Sequence, residues 1–228
     1  MYKYLKILFL VIILVFNTAC EDSEEDHINL YLAASLLDKV ENSLESFHID
    51  VNIDSSGSYD LVNKIILGAK PDLVLIANYK LKKNFFTDYE QIDNYYRSKV
   101  IFVHNQNHEV DINDICEKYF EIGIADPSRA PLGKLSSEIL INFDCKQPKY
   151  NTKITANASA LINKINLKYL NYAFIYENDM NEIDEKLDFK ALDYNFQKAL
   201  NYSFFLNKDI SLDKKKNALD FIKYLKNK

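Results

Sequence analysis

The sequence of 228 residues contains no tryptophan and only four glycines, four prolines and three cysteines. So few glycines and prolines exclude a collagen-like chain, and a hydrophobic content of 48% excludes a wholly disordered one. Positive charge is also in deficit, with 28 Lys and Arg against 33 Asp and Glu, so nothing favours a nucleic-acid-binding protein. A chain of this length can bury a sizeable core, as one domain or as two small ones.

The first twenty residues have the pattern of an export signal. Lys3 and Lys6 precede an unbroken apolar run over residues 7–16. About ten apolar residues are too few for a membrane-spanning helix, which needs roughly 20. Small residues then lead to Cys20, and this ending resembles a bacterial lipoprotein signal, in which the cysteine is lipidated and becomes the new N-terminus. We therefore expect a signal peptide at residues 1–19 and an exported protein, held at the bacterial cell membrane or in the periplasm by its lipid anchor alone.

Removal of residues 1–19 would leave 26 basic and 33 acidic residues, a net charge of −7. Five of the six residues at 21–26 are acidic. Together with the lipidated Cys20, this stretch (residues 20–26) is predicted to be a solvated tether between lipid and domain. An acidic interaction tail is the alternative.

Two cysteines remain in the exported part, where disulfides persist. Cys116 precedes a predicted strand, and Cys145 follows the helix that returns from it. Both positions fall at the same end of a strand–helix unit, which makes a bridge geometrically reasonable. Closing a loop of about 30 residues would contribute roughly 3–4 kcal/mol on the chain-entropy model. Two unpaired buried thiols are the alternative to this disulfide.

Short apolar runs alternate with segments of helical periodicity, which is typical of an α/β protein. Strands are predicted at residues 28–33, 48–53, 72–77, 99–104, 119–125, 172–176 and 201–206. Helices are predicted at residues 37–47, 58–67, 132–141 and 158–165, with a final helix capped by Ser211. The order of these elements predicts a two-lobed α/β protein with mixed sheets flanked by helices and a cleft between the lobes. Lobe I comprises residues 27–103 plus 201–228, and lobe II comprises residues 104–200.

Four predicted helices begin with small or hydroxyl residues directly after a preceding segment, near Ser35, Ser56, Leu132 and Ala158. The first N–H groups of a helix have no intrahelical acceptor and lie at the positive end of its dipole, so they can bind an anion. Ordinary N-capping explains any one of these starts equally well. Four such starts facing one cleft would favour an anion site.

Several motifs occur in the order found in ABC-transporter molybdate-binding proteins. They are A-A-S-L at 33–36, the serine cluster at 55–58, G-A-x-x-D at 68–72, D-P-x-x-x-P-x-G-x-x-x-x-E at 126–138 and Y-A-F-I-Y at 172–176. Over roughly residues 28–225 the chain resembles this family, and the last motif is closer still to the related tungstate-binding group. The resemblance implies a two-lobed receptor of the periplasmic-binding-protein type.

The resemblance also implies the ligand contacts. It assigns them to five residues: Ser35, Ser56, Leu132, Ala158 and Tyr176. The serines and the tyrosine would contribute hydroxyl groups, whereas Leu132 and Ala158 would act only through backbone N–H groups. Ser55 is the alternative to Ser56. Ala130 and Ile175 replace two carboxylates of the octahedral tungstate-binding group, which favours a tetrahedral oxyanion.

The implied function is capture of molybdate or tungstate for the permease of an ABC importer, with no resident cofactor or metal. An enzyme is not expected, since G-x-S-x-G, H-E-x-x-H and phosphate-loop motifs are absent. Tyr172 and Tyr176 share a strand face and leave ferric iron open as a ligand. His104 and His108 have a metal-like spacing, but their polar neighbours favour an exposed loop. A receptor for a different oxyanion, or a surface lipoprotein without transport function, would fit the same residues.

Overall fold

A computed structural model describes residues 27–107, 110–117, 119–143 and 151–228. The strands among these residues are β1 (His27–Ala33), β2 (Asp50–Ser56), β3 (Leu73–Asn78), β4 (Tyr89–Asn105), β5 (Glu121–Ala125), β6 (Asn151–Thr155), β7 (Tyr172–Tyr176), β8 (Phe189–Ala191) and β9 (Ala199–Asn207). The α-helices are α1 (Leu37–Leu44), α2 (Ser58–Ile66), α3 (Phe85–Asp88), α4 (Asp114–Glu117), α5 (Pro131–Asn142), α6 (Ala158–Asn166) and α7 (Leu212–Lys226). Short 3-10 helices occupy Ala34–Leu36, Glu177–Glu182 and Glu185–Leu187.

The strands follow the order β2-β1-β3-β9-β4-β7-β5-β6, with β8 also paired to β4. Strand β1 is parallel to β2 and β3, and β5 is parallel to β6 and β7. The pairings of β9 with β3 and β4, and of β4 with β7 and β8, are antiparallel. This is the mixed α/β architecture expected from the sequence.

Strand β4 belongs to two sheets. As far as Lys99 it pairs with β9, and from Val100 onward it pairs with β7. We call the part built on β1, β2, β3, β9 and the start of β4 the first lobe. The part built on β5, β6, β7, β8 and the end of β4 is the second lobe. The predicted lobe boundaries in residue numbers stay a prediction.

Each lobe has an apolar sheet covered by helices. Strand β3 is buried along Leu73 to Ala77, as expected for a strand with helices on both faces. Helix α7 buries Phe221 and Leu225 in the first lobe, and its N-cap Ser211 accepts a hydrogen bond from the Lys214 N–H, as predicted. The fold is that of a periplasmic-binding-protein-like receptor.

Three features differ from the sequence expectation. Strand β4 begins at Tyr89, well before the predicted position, and β6 was not predicted. His104 is buried rather than exposed, because β7 and β8 flank β4 there and pair it with Tyr172 and Lys190. His108, Cys20 and Cys145 lie outside the described residues, so the lipid anchor and the Cys116–Cys145 bridge stay predictions. No helix among the described residues is long and apolar enough to cross a membrane.

Candidate functional site

Four chain segments converge on one small cavity between the lobes. Strands β1 and β2 lead into the 3-10 helix before α1 and into α2, and β5 and β6 lead into α5 and α6. The cavity has an empty volume of about 240 Å³. Its lining residues are Ala33, Ala34, Ser35, Ser56, Gly57, Ser58, Ala77, Ala130, Pro131, Leu132, Asn157, Ala158, Tyr176 and Tyr202.

The structure brings all five residues predicted to bind the ligand to this cavity: Ser35, Ser56, Leu132, Ala158 and Tyr176. It also separates the two adjacent serines. Ser56 lines the cavity, whereas Ser55 lines a neighbouring one and its buried hydroxyl has no hydrogen-bond partner among the described residues. The role of the five residues as ligands stays a prediction.

The helix starts direct donors toward the cavity. Helix α5 begins at Pro131, which has no N–H to satisfy, so the first N–H groups without an intrahelical acceptor are those of Leu132 and Gly133. Asn157 caps α6 by accepting the Ala160 N–H at 2.9 Å, which leaves the N–H of Ala158 outside the cap. The second lobe therefore offers two backbone donor groups to one cavity.

None of the lining residues carries an ionisable group other than tyrosine. Burial is the main reason that the pKa values of Tyr176 and Tyr202 lie far above the usual range for tyrosine, and both hydroxyls keep their protons. A site built from neutral hydroxyl and N–H donors suits an anion that must be released again. This chemistry favours a small oxyanion over a metal cation.

Tyr202 is the cavity residue that the sequence did not predict. Its hydroxyl lies 2.7 Å from Ser35 Oγ, and its side chain is fully buried. In the sequence it is one of 16 tyrosines, within a strand that is typical of a core, and no motif marks it. Only the pairing of β9 with β3 and β4 brings it to the cavity.

Tyr172, which left ferric iron open, lies at the far end of β7 from Tyr176. Four residues of strand span about 13 Å, too far for two side chains on one face to share a metal ion. The Tyr172 ring packs 4.5 Å from that of Phe120, between ring centroids, as expected of a core residue. Among the described residues, no group of three or more His, Cys, Asp or Glu is placed to hold a metal ion.

Two contacts join the lobes beside the cavity. The Tyr59 N–H, in the first turn of α2, donates to the carbonyl of Arg129 at 3.0 Å. Arg129 returns a hydrogen bond from Nε to Asp60 Oδ2 at 2.8 Å. Gly57 lies beneath this contact, and a Cβ built on it would fall 2.4 Å from the Arg129 carbonyl oxygen. The lobes therefore approach each other closely at this edge of the cavity.

Glu138 of α5 makes a second connection. It accepts hydrogen bonds from the Tyr79 hydroxyl at 2.8 Å and from Lys80 Nζ at 2.6 Å, both after β3 in the first lobe. Lys198 contacts the same carboxylate at 3.1 Å. The hydrogen bond from Lys80, with those from Tyr79 and Lys198, lowers the pKa of Glu138 to about 2. Glu138 is the acidic residue of the second-lobe motif, and here it ties the two lobes together.

Asp179 is a buried carboxyl group close behind the cavity wall. Its side chain is 2% exposed, and Oδ2 has no hydrogen-bond partner among the described residues. Burial, reinforced by the charge of Glu182, raises the pKa of Asp179 well above its usual range. Its charge also helps to raise the pKa of Tyr176, so the two groups are close enough to interact.

Replacing Asp179 with asparagine should stabilise the protein increasingly as the pH rises. The folded state holds the Asp179 proton more tightly than the unfolded chain does, so the wild type loses stability from about pH 4 upward. Asparagine has no proton to lose, and we expect a gain of about 1–3 kcal/mol at pH 8 that shrinks toward pH 4. Chemical denaturation across this range measures it.

The control for this comparison is Glu177→Gln, an exposed carboxylate in the same 3-10 helix, which should give no such gain. Glu182, whose pKa is raised to about 7 by burial and by Asp38, titrates in the same range. Both variants retain Glu182, so its contribution is common to them. A stability difference that did not change with pH would contradict a protonated Asp179.

The fold and the cavity define a two-lobed receptor for a small solute. Residues 36–228 match the family model described as bacterial extracellular solute-binding protein. The chain belongs to this family. A comparison with curated proteins finds no match.

Solved structures share the fold at low identity. The bromide-bound regulatory domain of HypT from Salmonella typhimurium has a TM-score of 0.71 at 11% identity, with 92% of this chain and 100% of that one covered. The periplasmic molybdate-binding protein of Azotobacter vinelandii has a TM-score of 0.67 at 14% identity, with 87% and 92% covered. The substrate-binding domain of a putative molybdenum ABC transporter from Clostridium difficile has a TM-score of 0.55 at 17% identity, with 87% and 91% covered.

Proposed function

We propose that this protein captures a tetrahedral oxyanion, molybdate or tungstate, outside the cytoplasm and delivers it to the permease of an ABC importer. One observation carries the proposal: five residues from separate segments, selected by motif alone, line a single cavity between the lobes. The family match, and the resemblance of the fold to molybdate-binding proteins, support it. Anchoring through a lipid on Cys20 is part of the same proposal.

The proposed mechanism uses neutral donors only. The hydroxyl groups of Ser35 and Ser56 bind oxyanion oxygens from the first lobe, while the N–H groups of Leu132 and Ala158 bind from the second. Tyr176 adds a phenol at the junction. Because the donors come from both lobes, the ligand itself joins them, and hinge closure completes its coordination. Release then requires only that the lobes part.

Thermal unfolding of the protein tests this proposal directly. The ligands are molybdate, tungstate, sulfate, phosphate and ferric citrate, each compared with ligand-free protein. A ligand present at a thousand times its Kd stabilises by about 4 kcal/mol. For a chain of this size the midpoint should rise by roughly 8–16 °C. We expect this shift with molybdate and tungstate and not with the remaining three ligands.

Different outcomes would redirect the proposal. A shift with sulfate or phosphate alone would keep the receptor and replace its ligand. Similar folds do hold such anions, since the HypT regulatory domain is bromide-bound and an OxyR2 regulatory domain from Vibrio vulnificus is sulfate-bound. A shift with none of the ligands would favour a surface lipoprotein that has the fold without transport. A permease gene and an ATPase gene beside this one would support the importer.

Substituting each site serine by alanine should weaken molybdate binding. Ser35→Ala or Ser56→Ala removes one hydrogen-bond donor to a charged acceptor, and we expect a loss of about 1–3 kcal/mol in binding free energy. Isothermal titration calorimetry measures it. Ser55→Ala is the matched control, because Ser55 lies outside the cavity, and it should bind as the wild type does. Unchanged affinity in both site variants would contradict the assignment.

A further inference from the structure

Tyr202 lies at the centre of a hydroxyl and aromatic cluster at the cavity. Its hydroxyl is 2.7 Å from Ser35 Oγ, and the proposed mechanism gives it no contact with the ligand. We infer that Tyr202 is a positioning residue, which holds Ser35 in the orientation that donates to the bound oxyanion. This inference rests on the proposed function and adds a residue outside the family's motif.

The role of Tyr202 depends on which of the two hydroxyls donates. Only one proton can lie between Ser35 Oγ and the Tyr202 oxygen. If Ser35 donated it, serine would present lone pairs to the ligand and repel an anion. If Tyr202 donates, the Ser35 proton is free to point into the cavity. An oxyanion therefore selects the arrangement in which Tyr202 donates to Ser35 and Ser35 donates to the ligand.

The surroundings of Tyr202 suit this role. Its ring is stacked on that of Tyr96, with centroids 4.8 Å apart, and meets the edge of the Tyr176 ring at 5.7 Å. The aromatic contacts fix the phenol before ligand arrives, so little orientational entropy is lost on binding. Burial keeps the phenol protonated, and a hydrogen bond already accepted by Ser35 strengthens the one that Ser35 donates.

The test is a double-mutant cycle read by calorimetric titration of molybdate. Tyr202→Phe keeps the ring and removes only the hydroxyl, and we expect binding to weaken about threefold to tenfold. In a Ser35→Ala background the same substitution should have no further effect, because the group through which it acts is missing. Tyr95→Phe is the control: Tyr95 packs 5.3 Å from Tyr96, between centroids, and should leave affinity unchanged.

Each result decides the inference. Wild-type affinity in Tyr202→Phe overturns it, and so does an effect of equal size with and without Ser35, which would make Tyr202 a direct ligand. A fall in affinity seen only where Ser35 is retained, without a matching fall in the ligand-free unfolding midpoint, supports it. If the wild type itself binds no oxyanion, the proposed function fails and this inference fails with it, a result that the unmutated protein shows by itself.

Discussion

Replacing Gly133 with alanine should destabilise the ligand-free protein by about 3 kcal/mol, which corresponds to a midpoint lower by roughly 6–12 °C. The start of α5 lies directly against the end of β5. A Cβ on Gly133 would fall 2.1 Å from the carbonyl oxygen of Ala125 and 2.7 Å from the carbonyl carbon of Asp126. Both are backbone atoms, so the helix and the strand must move apart. Thermal unfolding measures the loss.

Gly123→Ala is the matched control for this substitution. Its Cβ would meet the methyl ends of Leu170 and Leu161 at 2.6 and 2.7 Å, and such side chains can rotate away. We expect a clearly smaller loss. Equal destabilisation by the two alanines would contradict the claim that close backbone approach is what requires glycine in the P-L-G segment.

Replacing Gly57 with alanine should instead reduce oxyanion affinity, by about 30- to 150-fold. The added Cβ would lie 2.4 Å from the carbonyl oxygen of Arg129, which belongs to the other lobe. The ligand-free protein can relieve this clash by opening, whereas the bound form cannot if closure completes the site. Calorimetric titration of molybdate measures the affinity.

The unfolding midpoint of ligand-free Gly57→Ala separates the two explanations. We expect it to change little, because the backbone at Gly57 is extended, with φ −60° and ψ 140°, and alanine adopts it without strain. A large fall in this midpoint would show that the residue supports the fold rather than closure. Unchanged affinity would show that the lobes need not approach at Gly57 for the ligand to bind.

Much of the fold could be predicted because its strands are apolar and its helices periodic. Strand β7 occupies the predicted residues, and β1, α2, α5 and α6 each begin within one residue of theirs. The segment A-A-S-L and the P-L-G segment also placed ligand candidates, since a motif fixes which residue follows a strand. These are local signals, and local structure is what they predict.

The features that were missed depend on pairing between distant segments. Strand β6 is polar and mostly exposed, so only its parallel partner β5 makes it a strand. The early part of β4 is largely polar and pairs with β9, which lies much later in the chain. The same pairing brings Tyr202 to Ser35. His104 was misjudged for this reason too, because the two strands that bury it also come much later in the sequence.

The passage of β4 from one sheet to the other constrains how this molecule can change shape. Among the described residues the chain passes between the lobes within β4, at Lys99 and Val100, and again where Lys198 leads into β9. A hydrogen bond from the Val100 N–H to the Lys198 carbonyl, at 2.9 Å, joins the two passages. A two-stranded antiparallel ribbon twists readily but resists stretching. The lobes are therefore free to rotate about this ribbon and are held at a fixed separation along it, so the cavity opens as a jaw does, widest at the edge where Gly57 faces Arg129.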